Sequence, residues 1–117
     1  MDKKEIKAKL FSAKDKFKRE VVEIDGIEFE IRQPSVGQRR RMMEAAKRKD
    51  GDTDQWVMIS RSLIECVYMP NSNERMFDES DLIAFDQLPT GSWYDKLIEK
   101  MAVGLNVDTK KAEENLE

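Results

Sequence analysis

Two alternating runs, Val21-Val22-Glu23-Ile24 and Ile27-Glu28-Phe29-Glu30-Ile31-Arg32, flank the dipeptide Asp25-Gly26. A two-residue loop reverses a strand with the natural twist when both of its residues accept positive φ, so this stretch predicts a β-hairpin over residues 20–32 with a type I′ turn. The turn sets the register: Ile24 opposite Ile27, Val22 opposite Phe29, Glu20 opposite Ile31. Val22, Ile24, Ile27, Phe29 and Ile31 then share one face, and Glu23, Glu28 and Glu30 share the other, which is expected to be solvated or cation-paired. Two strands alone are marginal, so the apolar face needs helices. The free strand edges make Val22, Ile24, Ile27 and Phe29 a candidate oligomer edge.

The helices that cover this hairpin are predicted from period. Residues 56–68 are the longest run that reads as helix and cannot stay in water. Stepping about 100° per residue, Trp56, Val57, Ile59, Leu63, Ile64, Cys66 and Val67 fill half of the circumference, which calls for at least two neighbouring elements. This helix is expected over 54–68. Ahead of it, Ser35-Val36-Gly37-Gln38 has the spacing in which a serine hydroxyl and a glutamine side chain satisfy the first free amides, starting a helix expected over 36–49. On it Val36, Met42, Met43 and Ala46 share an arc from which Arg39 also projects; Arg39 either pairs with a hairpin glutamate or snorkels from the first turn.

Asp78 caps a short helix over 79–87 that brings Leu82, Ile83 and Phe85 inward before Leu88-Pro89 stops it. A last helix over 92–105 carries Trp93, Leu97, Met101 and Leu105 at four-residue spacing, joined by Tyr94 and Ile98. Residues 1–19 form an arm in which Ile6, Leu10 and Phe11 give a narrow amphipathic stripe, and residues 107–117 form a charged tail. The fold class is therefore α+β, mainly helical: one domain over 20–106, with an N-terminal β-hairpin packed on a bundle of about four helices.

The chain contains no histidine, which removes Ser/His and Cys/His nucleophile pairs, most zinc sites and the usual general base. Its single cysteine, Cys66, falls on an apolar arc and reads as an inert buried thiol. Asp50-Gly51-Asp52-Thr53-Asp54 begins like a calcium loop, but Gln55 stands at the glycine position and Arg61 at the bidentate-glutamate position, so it reads as a loop and a helix cap. Asp78 and Asp81 have no phosphate loop or convergent polar set beside them, and caps explain them. No enzyme activity, cofactor or metal is expected. With no run of eighteen apolar residues and no signal segment after Met1, the chain is expected to be cytoplasmic and free of the membrane. A net charge of −3 disfavours nucleic acid, and residues 39–41 and 47–49 scatter their six cations around the wheel instead of lining a stripe. The last three are expected at a helix C-terminus, where they complement the dipole.

The order of these signatures resembles a known family. An Asp-Gly hairpin ending Arg32-Gln33-Pro34-Ser35, a polar helix, a buried helix ending Cys66-Val67-Tyr68-Met69-Pro70, then Met76-Phe77, Asp81-Leu82, Leu88-Pro89 and Gly104-Leu105-Asn106 are similar to the tail assembly chaperones of long-tailed bacteriophages. The similarity is greatest to those of prophages and defective phage particles in Bacillus-like hosts and spans about residues 21–106. It implies a small helical protein, not an enzyme, that binds the helical tape measure protein in the host cytoplasm and keeps it soluble while the tail tube assembles. It also implies a longer frameshifted product of the same gene region as a partner, homo-oligomers in some members, and absence from the mature virion.

A helical domain with an apolar groove suits such a partner. The groove is expected between the second and last helices, with Met42, Met43 and Met101 as adaptable contacts beside Arg39; ordinary core is the other reading of these methionines. Two other functions stay open: a small DNA- or RNA-binding regulator using the basic helix over 39–49, and a structural virion subunit.

Overall fold

The computed structural model describes residues 1–104, with side chains through Met101; the 107–117 tail and Leu105 lie outside the described residues. The fold is α+β and mainly helical. Its order is α1 (Lys3–Phe11), β1 (Arg19–Ile24), β2 (Ile27–Arg32), α2 (Val36–Ala45), α3 (Gln55–Cys66), β3 (Val67–Tyr68), α4 (Leu82–Asp86) and α5 (Trp93–Gly104).

The hairpin has the register read from its turn, with Ile24 paired to Ile27, Val22 to Phe29 and Glu20 to Ile31. Asp25 and Gly26 take φ of 54° and 82°, the two left-handed conformations a type I′ turn requires. Val22, Ile24, Phe29 and Ile31 enter the core with Leu63, Cys66, Val67, Phe85, Leu97 and Met101. An aromatic group seals it: Trp93 stacks on Phe29 at 6.0 Å and on Phe77 at 5.6 Å, and Phe77 meets Phe85 edge-on at 5.2 Å. Such pairs contribute about 0.5–1.5 kcal/mol each beyond the area they bury.

Several expectations are corrected. The central helix does not run to residue 68. It stops at Cys66, and Val67–Tyr68 turn into a third strand that pairs antiparallel with Glu30 and Ile31, giving a sheet ordered β1-β2-β3. Val67 suits either a helical arc or a strand. The unpaired amides and carbonyls of β2, together with Pro70, which disfavours helix in the residue before it, select the strand. β3 covers β2 only at Glu30 and Ile31, and no described strand covers the outer edge of β1; of the four candidate edge residues, Val22, Ile24 and Phe29 turn their side chains into the core and only Ile27 stays exposed.

Around α3 the covered arc is also shifted from the expected one. Met58 packs on the core, while Trp56, in the first turn beyond the reach of the sheet, is 70% exposed. Ile83 is exposed rather than buried, leaving Phe85 and half-buried Leu82 to hold α4.

The second helix stops at Ala45, four residues short of the expected end. Ala46 O accepts the Asp54 amide at 2.7 Å, Asp52 O accepts that of Arg48 at 2.7 Å, and Gly51 turns the chain at φ 91°. Asp50, whose carboxylate takes the Asp52 amide at 2.9 Å, and Gly51 supply turn chemistry that outcompetes the next helical turn. Lys47, Arg48 and Lys49 therefore sit in a loop and not at a helix C-terminus. Capping bonds form at Ser35 with Gln38, at Asp54 on Trp56 and Val57, and at Asp78 with Asp81; the last closes a 3-10 turn over Glu79–Asp81 ahead of α4, where one helix over 79–87 is expected.

Candidate partner-binding face

The rotation of α2 decides what it offers to a partner. Gln38 does more than close the capping box: its side-chain amide donates to Glu65 O at 3.3 Å and to Glu65 Oε2 at 3.2 Å on α3. The same carboxylate pairs with Arg75 at 3.0 Å and with Arg41 at 3.6 Å. One half-buried glutamate thus ties α2, α3 and the segment after Pro70 together. With α2 held at that angle, Met42 and Ala46 point inward and the neighbouring positions point out.

The four residues expected to form a groove are consequently divided. Met42 is 3% and Met101 8% exposed, both within the core, so these two are packing residues and not partner contacts. Met43 is 52% exposed, and Arg39 is exposed beside it. Both line a shallow open cleft of about 470 Å³ together with Val36, Arg40, Glu44 and Lys47, floored by Gly51 and Thr53 of the loop that ends the helix. This cleft lies on the outer side of α2 and not on the side toward α5 where the groove is expected, and Arg39 has no ion-pair partner among the described residues.

Val36, whose spacing fits the inner arc, lies outside it at 65% exposure. The signal that could have moved it outward is the loop, since only a helix ending before Lys47 lets that loop fold back beside Val36, Arg39 and Met43.

In character the cleft is apolar at Val36 and Met43, cationic at Arg39, Arg40 and Lys47, and anionic at Glu44. Among the described residues no group of three or more Cys, Asp or Glu side chains is placed to hold a metal ion. Burial, reinforced by Glu65 and only partly offset by Arg75, pushes the Cys66 thiol up to about 12, so the sole cysteine is neutral and inert in the folded protein. A second depression, near the hairpin turn, is lined by Glu23, Ile24, Asp25, Lys96, Glu99 and Lys100, and Lys96 already pairs with Asp25 at 3.1 Å.

The sheet's far face realises both of its expected states, solvated at Glu23 and Glu28 and cation-paired at Glu30. At 4% exposure Glu30 accepts Arg32 Nε at 2.6 Å and the Asn71 amide at 3.3 Å. Arg32 also donates to Asn73 Oδ1 at 3.3 Å and lies 4.0 Å over the Tyr68 ring. Burial alone would raise the Glu30 pKa, but the bonds from Arg32 and Asn71 and the charges of Arg32 and Arg19 outweigh it and hold the carboxyl below its ordinary value. This cluster fastens residues 71–73 to the sheet and is fully satisfied within the chain.

No described helix is long and apolar enough to cross a membrane. Comparison of the chain with protein-family models, curated proteins and solved structures gives no match.

Proposed function

We propose that this chain is a non-enzymatic assembly chaperone of the long-tailed phage type, which binds a helical tape measure protein through the outer face of α2 and keeps it soluble in the host cytoplasm. What supports the reading, beside the resemblance over residues 21–106, is a single observation: Val36 and Met43 are both exposed on one helical face at seven-residue spacing, flanked by Arg39 and Arg40. An apolar pair at that spacing matches the stripe of a partner helix, and an unbranched thioether adapts to varied side chains.

The test is co-expression with the tape measure protein from the same gene neighbourhood. The chain is expected to render it soluble and to co-purify with it, and Val36→Asp with Met43→Asp is expected to abolish capture while the far-ultraviolet spectrum and the melting temperature hold. An insoluble partner beside a folded chain would remove the reading.

A second reading draws on one feature of the cleft. Arg39, Arg40 and Lys47, three of the six cations that as a set scatter around an ideal wheel, line it together, as a small nucleic-acid regulator would require. Binding of that kind weakens steeply with salt, whereas apolar capture persists. Titration of a labelled duplex and a labelled single strand at two ionic strengths separates the two.

A further inference from the structure

Residues 1–18 have no role in anything described above. Asp2 caps α1 by accepting the Glu5 amide at 2.8 Å, yet no residue of the helix is buried. Ile6, Leu10 and Phe11 are exposed along it, and Phe17 is exposed in the link to β1. A helix of nine residues is marginal in water, so an arm built this way needs a covering surface.

Charge indicates which surface. Residues 1–18 hold seven lysines against three acids, and the remainder of the chain holds 14 cations against 21 acids. None of those lysines makes an ion pair among the described residues. The counterpart lies on the outer side of the hairpin. There Glu23 stands directly opposite Glu28, a like-charge pair that costs stability, and neither has a cationic partner among the described residues. Val21 is exposed beside them, on the strand whose outer edge no described strand covers.

The arm is poorly placed to reach that face on its own chain. Lys18 O accepts the Gln33 amide at 2.9 Å, and the Lys18 amide donates to Gln33 Oε1 at 3.2 Å. These bonds pin the arm's exit at the end of the hairpin opposite the Asp25-Gly26 turn, and because Ser12–Asp15 form a 3-10 turn directly after α1, only residues 16–17 remain as slack. A second copy presents the same acidic face without that restraint.

We propose that the N-terminal arm docks on the outer hairpin face of a second copy of this chain, lysines against Glu23 and Glu28, with Leu10 and Phe11 over Val21. In a two-fold pair each copy gives one arm and receives one, so the contact is made twice. Nothing in this inference depends on a tape measure protein.

Sedimentation velocity on the purified full chain alone, over a concentration series at low and high salt, tests it. A concentration-dependent dimer that weakens as salt rises is expected. Leu10→Asp with Phe11→Asp is expected to return the chain to monomer, with a melting temperature equal to that of the wild type at dilutions where the wild type is itself monomeric. Glu23→Lys with Glu28→Lys is expected to weaken association about tenfold, and adding Lys7→Glu and Lys9→Glu to recover it. A chain that stays monomeric throughout overturns the proposal, as does a dimer indifferent to the arm substitutions or a charge swap without recovery. A fall in melting temperature on Leu10→Asp with Phe11→Asp at dilutions where the wild type is monomeric places the arm on its own body, and a monomer whose arm instead binds anionic vesicles or RNA assigns it that occupant; either result overturns the proposal.

Discussion

The two faces of the hairpin are made from the same strands by the same alternation, and they are buried by different means. On the inner face Val22, Ile24, Phe29 and Ile31 are covered by helices and by the aromatic group around Trp93. On the outer face Glu23 and Glu28 stay in water, while Glu30, two residues further along the same strand, is enclosed with Arg32 by Tyr68 and the loop after it. Alternation therefore decides which side of a sheet a residue occupies, and it does not decide whether that side is covered. The apolar face is driven inward by transfer from water; the charged pair is carried inward by an element that arrives for another reason, to pair with the open edge of β2.

The comparison can be sharpened by substitution. Phe29→Ala removes an aromatic ring from the inner face and is expected to lower stability by about 3–5 kcal/mol in urea denaturation. Arg32→Ala leaves the enclosed Glu30 carboxylate without its cation, and about 3 kcal/mol is expected, approaching the loss of a core side chain. A loss within about 0.5 kcal/mol, as for an ordinary surface position, would break the comparison by making Glu30 a surface group in effect.

The same pair has a pH signature. The Glu30 carboxyl is held below its ordinary value of 4.5 in the folded protein, so its contribution is present above pH 4.5 and is lost as pH falls through the folded value. Thermal melts across pH are expected to show the stability gap between the wild type and Glu30→Gln flat above that point and closing below it. The smallest effect belongs to the solvated part of the outer face. Glu23→Lys turns a like-charge pair into an attractive one and is expected to stabilise the monomer by about 0.2–1 kcal/mol. That measurement belongs in a Leu10→Asp with Phe11→Asp background, where self-association does not interfere.

Legibility in the sequence followed the distance over which each feature is specified. The hairpin register is set by two turn residues and was readable in full; Ser35, Asp54 and Asp78 cap helices through bonds to residues within three positions and were equally readable. Val67 was not, because its side chain fits both the arc of α3 and a strand, and the choice lay with β2, more than thirty positions earlier. The end of α2 was missed because cations at residues 47–49 suit a helix terminus, while turn bonds among residues 46–54 stop the helix sooner. At the candidate face, Met42 and Met43 look equivalent in sequence; the bonds from Gln38 and Arg41 to Glu65 set the helix angle that separates them.

What the sequence alone determined is local and covalently close: the type I′ turn and its register, the capped helix starts, the mainly helical α+β class, and the absence of the histidine chemistry that many catalytic sites need. What only the tertiary structure decided is which of several compatible surfaces becomes covered: β3 instead of a longer helix, Glu30 enclosed with Arg32 while Glu23 and Glu28 stay in water, Met42 and Met101 in the core, Val36 and Met43 outside. The physical reason is that turn and capping energies belong to a few adjacent residues, whereas burial is a property of two surfaces meeting, and the second surface is supplied by chain far away in sequence.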